Sequence, residues 1–134
     1  MKVFYDFHLH TALSPCGDVE MTPNNIVNLA TLLELDCIAI TDHNSIQNIE
    51  SCLKVAEDTD LIVLPGMEAE TSEEIHVVCL FPDIECCKSF YKVINERLIK
   101  IPNNEKIFGP QIILDENDEE VGKYENLLLS PTNI

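Results

Sequence analysis

The sequence contains no run of about 18 apolar residues, so hydropathy offers no membrane-spanning helix. Positive charge is scarce: 8 Lys and Arg stand against 24 Asp and Glu in 134 residues, a formal charge of −16. No basic stripe is present to follow a phosphate backbone, and long nucleic acid is therefore not an expected partner. A small anionic substrate remains compatible, because bound dications reverse a local field. The six cysteines, at positions 16, 37, 52, 79, 86 and 87, form no CxxC pair and no zinc-finger spacing. Asp6 and His8 stand where a signal peptide needs an apolar stretch, so a disulfide framework is not expected and the chain reads as cytoplasmic. Internal repeats and low-complexity tracts are missing too. What is present is ordinary globular material, 46% hydrophobic and 24% charged, of one-domain length.

Residues 2–7 (KVFYDF) read as a strand. After a loop containing Ser14, Pro15, Gly17 and Asp18, Thr22 and Pro23 make a helix start, with Thr22 as N-cap. Ile26, Leu29, Ala30 and Leu33 form its apolar stripe. Residues 37–41 (CIAIT) read as a buried strand. Ser45 is placed to cap a second helix striped by Ile46, Ile49, Leu53 and Ala56. Residues 61–64 (LIVL) make a third strand ended by Pro65-Gly66. This β-α-β-α-β order implies parallel strands. Strand-like runs follow near 67–71 and 75–81. A helix is expected over about 83–100, with Cys87, Tyr91, Ile94 and Leu98 on one face and adjacent Cys86 turned elsewhere. Beyond Pro102, 111–114 reads as a strand, 116–118 as a turn and 126–129 as a short apolar run. Cys37, Cys52 and Cys79 sit in apolar runs and read as small core residues.

There are four histidines, at 8, 10, 43 and 76. His8 and His10 are two apart at a strand end, which turns both to one face. His43 follows the second strand in Thr41-Asp42-His43. Glu68 lies just past the third strand, and His76 opens the next one. In parallel α/β sheets functional side chains gather at the carboxyl ends of strands. Imidazole and carboxylate suit zinc, manganese or iron. The two oxygens of Glu68 allow it to bridge two ions, an arrangement common in phosphoester hydrolysis. Asp6 shares the parity of His8 and His10 and reads as a carboxylate supporting them.

The segments YDFHLHTALS (5–14), ITDHNS (40–45), PGMEAE (65–70) and HVVCLF (76–81) resemble successive motifs of the PHP family, the polymerase and histidinol phosphatase domains. The run HTALSPCGDVEMTPNNIV is similar to a bacterial subgroup other than the polymerase-attached kind. The resemblance implies an α/β fold, a distorted TIM-like (β/α)7 barrel, and metal-dependent hydrolysis of phosphate esters with two or three divalent ions (zinc, manganese or iron). It implies His8 and His10 as ligands of one metal, Glu68 as a bridge, His76 on the second metal and His43 on a third. Where many members carry a loop histidine or aspartate, this chain has Cys16 and Asp18, which become further candidate ligands. Asp42 of the Thr-Asp-His run is a candidate for support.

The motifs end at residue 81, and no histidine follows His76. Full β/α barrels run to roughly 250 residues. The expectation is one partial PHP domain, the N-terminal half of a barrel, in which residues 1–81 bear the motifs and residues 82–134 form a helical and irregular or hairpin extension. An open half-barrel exposes sheet edge and apolar surface, which predicts self-association. The implied chemistry, at an intact site, is attack by metal-activated water on a small phosphorylated substrate; the 134-residue chain is expected to carry an incomplete site and to be inactive alone. Two rival readings keep the residues: an amidohydrolase-type metal hydrolase, and a metal-binding regulatory or interaction module with a degenerate site.

Overall fold

Strands and helices alternate through the N-terminal half of the chain. In the computed structural model, which describes residues 1–134, β1 (Tyr5–Leu9), α1 (Pro23–Leu32), β2 (Cys37–Ile40), α2 (Ile49–Ala56) and β3 (Ile62–Glu70) follow one another. β1, β2 and β3 pair in parallel. β4 (His76–Leu80) returns antiparallel on the second half of β3, giving the order β1-β2-β3-β4. α3 (Ile84–Arg97) comes next, then the short α4 (Glu105–Phe108) and a separate hairpin of β5 (Ile112–Leu114) and β6 (Glu120–Lys123). This is an α/β architecture, a parallel β-α-β-α-β unit extended by one antiparallel strand.

All three long helices cover one face of the sheet. Ile38 and Ile40 of β2 and Val63, Met67 and Ala69 of β3 join Ile26, Val27 and Ala30 of α1, Ile49, Cys52 and Ala56 of α2, and Cys87 and Ile94 of α3 in one core cluster. Successive strand residues alternate between faces, so Glu68 and Glu70 point to the face that no helix covers. Cys87 is buried while its neighbour Cys86 is exposed, as helix geometry requires.

Four local features differ from the sequence-based expectations. Pro65 and Gly66 do not end β3, which runs on to Glu70. They mark its change of partner, from Ile40↔Pro65 in the parallel ladder to Gly66↔Leu80 in the antiparallel one. A Cβ on Gly66 would lie 2.9 Å from the Cys79 carbonyl oxygen, so glycine permits the close approach of three strands there. Thr22 caps α1 and Pro23 sits in its first turn, but the buried side is Pro23, Ile26, Val27 and Ala30. Leu29 and Leu33 stay exposed, because α1 overhangs the sheet edge at β1. The second helix starts at Ile49, with Asn48 in the N-cap position. Its N-terminal turn is displaced because Asn48 is committed to tertiary hydrogen bonds, and the buried Ser45 hydroxyl has no partner. The first strand runs over Tyr5–Leu9 rather than 2–7.

The extension 98–134 has a small core of its own, Leu98 and Leu128 packed on Leu13. Side-chain amides of the first region hold it. Asn44, at φ +48°, donates to the carbonyls of Leu128 (2.8 Å) and Ser130 (3.0 Å). Asn48 donates to the Ile112 carbonyl (3.0 Å) and accepts from the Leu114 N–H (2.8 Å). No helix in the structure is long and apolar enough to cross a membrane.

Candidate metal centre

The centre is built around Glu68, in the second half of β3. His43 lies beyond β2 and meets Glu68 through an isolated parallel bridge. His76 opens β4 directly opposite Glu70. Glu68 Oε2 lies 2.8 Å from His8 Nε2, 3.0 Å from His10 Nε2 and 3.8 Å from His43 Nε2. Its Oε1 lies 3.3 Å from His76 Nδ1. The two oxygens of one carboxylate therefore face different imidazoles. The rings of His10 and His43 stack at 4.6 Å between centroids.

Three overlapping groups have ligand atoms within 4.8 Å of one another: His8, His10 and Glu68; His43, Glu68 and His76; and His10, Cys16 and His43. Cys16 is thus brought beside two of the histidines, with its thiol still exposed to solvent. Its loop is tightly wound, for a Cβ on Gly17 would lie 2.4 Å from the Thr11 carbonyl oxygen. Asp18 caps its own turn, accepting from the Glu20 N–H at 2.8 Å, and belongs to none of the three groups.

Asp42 and Asp6 are placed differently from the histidines. Asp42 is fully buried and accepts three bonds of 2.7 Å, from the Thr11 N–H, the Thr11 hydroxyl and the Ser14 hydroxyl. It locks the loop after β1 onto the end of β2. The shared parity of Asp6 with His8 and His10 is broken by a register irregularity between Asp6 and Leu9. Asp6 instead lines, with Leu9, Leu29 and Leu33, a groove of about 100 Å³ beside α1. Its carboxylate accepts from the His8 backbone N–H at 3.0 Å.

Ser14 orders the protons of the centre. Its hydroxyl proton is committed to Asp42, and its oxygen accepts from the His43 backbone N–H at 3.1 Å. Toward His10 Nδ1, 3.3 Å away, it can then only accept. A proton on His10 Nδ1 suits that oxygen, and the ring in that form presents the Nε2 lone pair to Glu68, 3.0 Å away. A lone pair opposite a carboxylate oxygen is an arrangement that a shared cation relieves.

The electrostatics favour ligand-ready protonation states. Burial, followed by the neighbouring His10, pushes the His43 imidazole down to about 4. Burial also lowers His10, against the opposing pull of Asp42 and Glu68. Burial tends to raise Glu68, but the hydrogen bond from His8 and the surrounding imidazoles outweigh it and hold the carboxyl below its usual range. Cys16 is the exception: burial raises its thiol, which opposes the thiolate a metal would bind. His43 is the most telling member: it is 5% exposed, its Nδ1 is buried without a partner, and its Nε2 lies beyond hydrogen-bond distance of Glu68. An unmet buried polar group costs about 1–3 kcal/mol. A neutral imidazole with no hydrogen bond fits a metal ion, which binds that form.

The PHP domain model matches residues 6–131. The chain belongs to the PHP domain family. The match runs well past residue 81, where the recognisable motifs stop, so the extension is also PHP sequence. The 5'-3' exoribonuclease Rnm of Salmonella typhimurium is 34% identical over 87 residues, 61% of this chain and 29% of that protein. The DNA polymerase III PolC-type of Ureaplasma parvum is 23% identical over 128 residues, 94% of this chain and 9% of that one. Among solved structures, a proposed metal-dependent phosphoesterase from Bifidobacterium adolescentis aligns with a TM-score of 0.50 at 27% identity, covering 68% of this chain and 32% of that one. An amidohydrolase from Chromobacterium violaceum aligns at 0.52 and 23% identity over 70% and 33%, a likeness of fold. This PHP chain therefore spans a third or less of each of these proteins.

Ser14 and Glu70 escaped the sequence reading. Glu70 follows Glu68 by two and shares its face of β3, a signal already present in the strand-like run near 67–71. Nothing in the sequence marks Ser14 as the link between Asp42 and His10.

Proposed function

We propose that this PHP chain holds divalent metal ions for hydrolysing phosphate esters, with His8, His10, His43, Glu68 and His76 as ligands and Cys16 as a further ligand beside His10 and His43. The observation that carries the proposal is the division of Glu68: one oxygen meets the imidazoles of β1, the other that of β4. That division suits two ions sharing one carboxylate, and the group around Cys16 offers a third place. Ions bound there supply Lewis acidity, lowering the pKa of water and neutralising phosphate oxygens. The nitrogen and oxygen donors suit zinc, manganese or iron, and a thiolate at Cys16 tilts the choice toward zinc.

The chain's own residues prepare the site. Asp42, acting through Ser14, fixes the ring and proton of His10. Burial keeps His43 neutral. Glu68 stays ionised and supplies the negative charge that gathers cations. Lys54, Lys88 and Lys123 pair with Glu116, Glu50 and Glu105 rather than with the centre. On this reading positive charge for a substrate phosphate comes from the ions.

The substrate proposed is small and phosphorylated. The exoribonuclease among the relatives acts on RNA by its name, but a chain of charge −16 opposes a long polyanion. A 5'-phosphorylated dinucleotide hydrolysed faster than a long RNA supports this choice, and the reverse order removes it. The unpaired edges of β1 and β4 are proposed to pair with a second copy, which sedimentation at rising concentration reads directly.

Elemental analysis after loading with zinc or manganese, followed by assay on an aryl phosphate, tests the main proposal. Two or three ions per chain are expected, and Glu68→Ala should lose at least two of them together with turnover. A wild-type chain that retains no ion overturns the proposal. Retained ions without turnover favour a metal-binding interaction module.

A further inference from the structure

Glu70 is a buried carboxylate to which the site as described gives no task. Its side chain is 9% exposed. Its backbone is fully engaged: the N–H donates to Asn44 Oδ1 at 3.0 Å, and the carbonyl accepts from the Thr132 hydroxyl at 2.6 Å. Its carboxylate has one polar neighbour within ion-pair range, His76 Nε2, at 4.0 Å from Oε1. The two residues face each other across the β3–β4 ladder. That imidazole is its one ion-pair partner across the ladder.

His76 stands between two carboxylates. Its Nδ1 faces Glu68 Oε1 at 3.3 Å, and its Nε2 faces Glu70 Oε1. An imidazole that gives one nitrogen to a metal must protonate the other, and a carboxylate accepting that proton fixes the ring and raises the basicity of the ligating nitrogen.

We propose that Glu70 is the positioning residue of His76: it accepts the Nε2–H and aims Nδ1 at the ion shared with Glu68. The inference rests on the metal-binding reading above and adds a residue to it. At 41% exposure the His76 side chain is the less confined of the pair, so it is the ring that needs holding. The relation parallels that of Ser14 to His10, with one difference. Ser14 acts through a hydroxyl already pinned by Asp42, whereas Glu70 acts directly from the neighbouring strand.

The test is zinc affinity, read by competition with a chelator, in the full chain. Partners of metal-bound histidines typically contribute about 10–100-fold to affinity. Glu70→Ala should weaken one bound ion by that factor and leave the ion of His8 and His10 unchanged. Glu70→Gln, which keeps a carbonyl oxygen toward His76, should fall between wild type and Glu70→Ala. In a His76→Ala background the Glu70 substitutions should have no further effect. The thermal midpoint of the metal-free variants separates a folding defect from a positioning defect, and Glu70→Gln preserves shape if the alanine variant folds poorly. Unchanged affinity in both variants overturns the inference while the metal reading stands. Equal weakening with and without His76 also overturns it, since Glu70 would then act elsewhere. A wild-type chain that binds no zinc removes both.

Discussion

The sheet region up to Arg97 and the extension from Leu98 are held by different forces. The first is an apolar core of 15 buried residues beneath a sheet; the second contributes Leu98 and Leu128 to a small cluster completed by Leu13 of the first, and relies on hydrogen bonds from Asn44, Asn48 and Gln111. The first carries all four histidines, and the second carries none. A metal centre needs ligands fixed to fractions of an ångström, and ladders of paired strands backed by a close-packed core provide that rigidity. The extension braces the loops after β1 and β2 from outside, where amide hydrogen bonds to backbone suffice.

Core truncation gives the largest expected contrast between the two regions. Ile38→Ala, in the main cluster, should cost about 4 kcal/mol, and Leu128→Ala, in the small one, about 2–3, because the small site collapses more easily. Denaturant unfolding measures both, and equal costs would show the extension to be packed as tightly as the sheet.

Acid should strike the sheet region through its centre. His43 is pushed to about 4, below the value near 6.5 of an unfolded histidine. Below pH 6.5 the unfolded chain therefore binds more protons, so stability falls as pH drops from about 6.5 to about 4. The lowered His10 and Glu68 act in the same direction. The loss attributable to His43 reaches at most about 3 kcal/mol. In the metal-free protein His43→Asn should flatten this window, and an unchanged pH profile would show that His43 is not the titrating group.

Asn48→Ala removes the amide that ties the two regions, leaving the Ile112 carbonyl and the Leu114 N–H without that partner. A loss of about 2 kcal/mol is expected. Proteolysis should become faster within 98–134 while zinc affinity stays near wild type, and a collapse of affinity would show that the extension shapes the centre itself. The smallest effect belongs to Asp6→Asn. Asp6 faces the α1 groove, so zinc affinity should be unchanged and stability should shift by less than about 0.5 kcal/mol. A tenfold loss of zinc would put Asp6 back among the supports of the histidines.

Local signals made the sheet region legible. The Thr22-Pro23 start, the buried CIAI strand and the Cys87–Ile94 helix face follow from capping and periodicity. Those rules fail where tertiary contacts intervene. Pro65-Gly66 looks like a strand end, yet β3 continues because the chain changes partners there. Ser45 looks like a cap, yet the helix begins later because Asn48 serves the extension. In the extension the strand at 111–114 and the turn at 116–118 were legible, but its attachment to the sheet was not, since its fixing bonds join residues tens of positions apart and leave no periodic trace.

The sequence alone determined which residues are candidate ligands and where they lie, because imidazoles and a carboxylate at successive strand positions are set by spacing and by which residues can form strands. Only the tertiary structure decided which oxygen of Glu68 meets which histidine, that Asp6 turns away through one irregular residue pair, and that Ser14 and Glu70 stand behind His10 and His76. Those outcomes depend on strand register and on contacts between distant segments, and no local pattern of residue types encodes either.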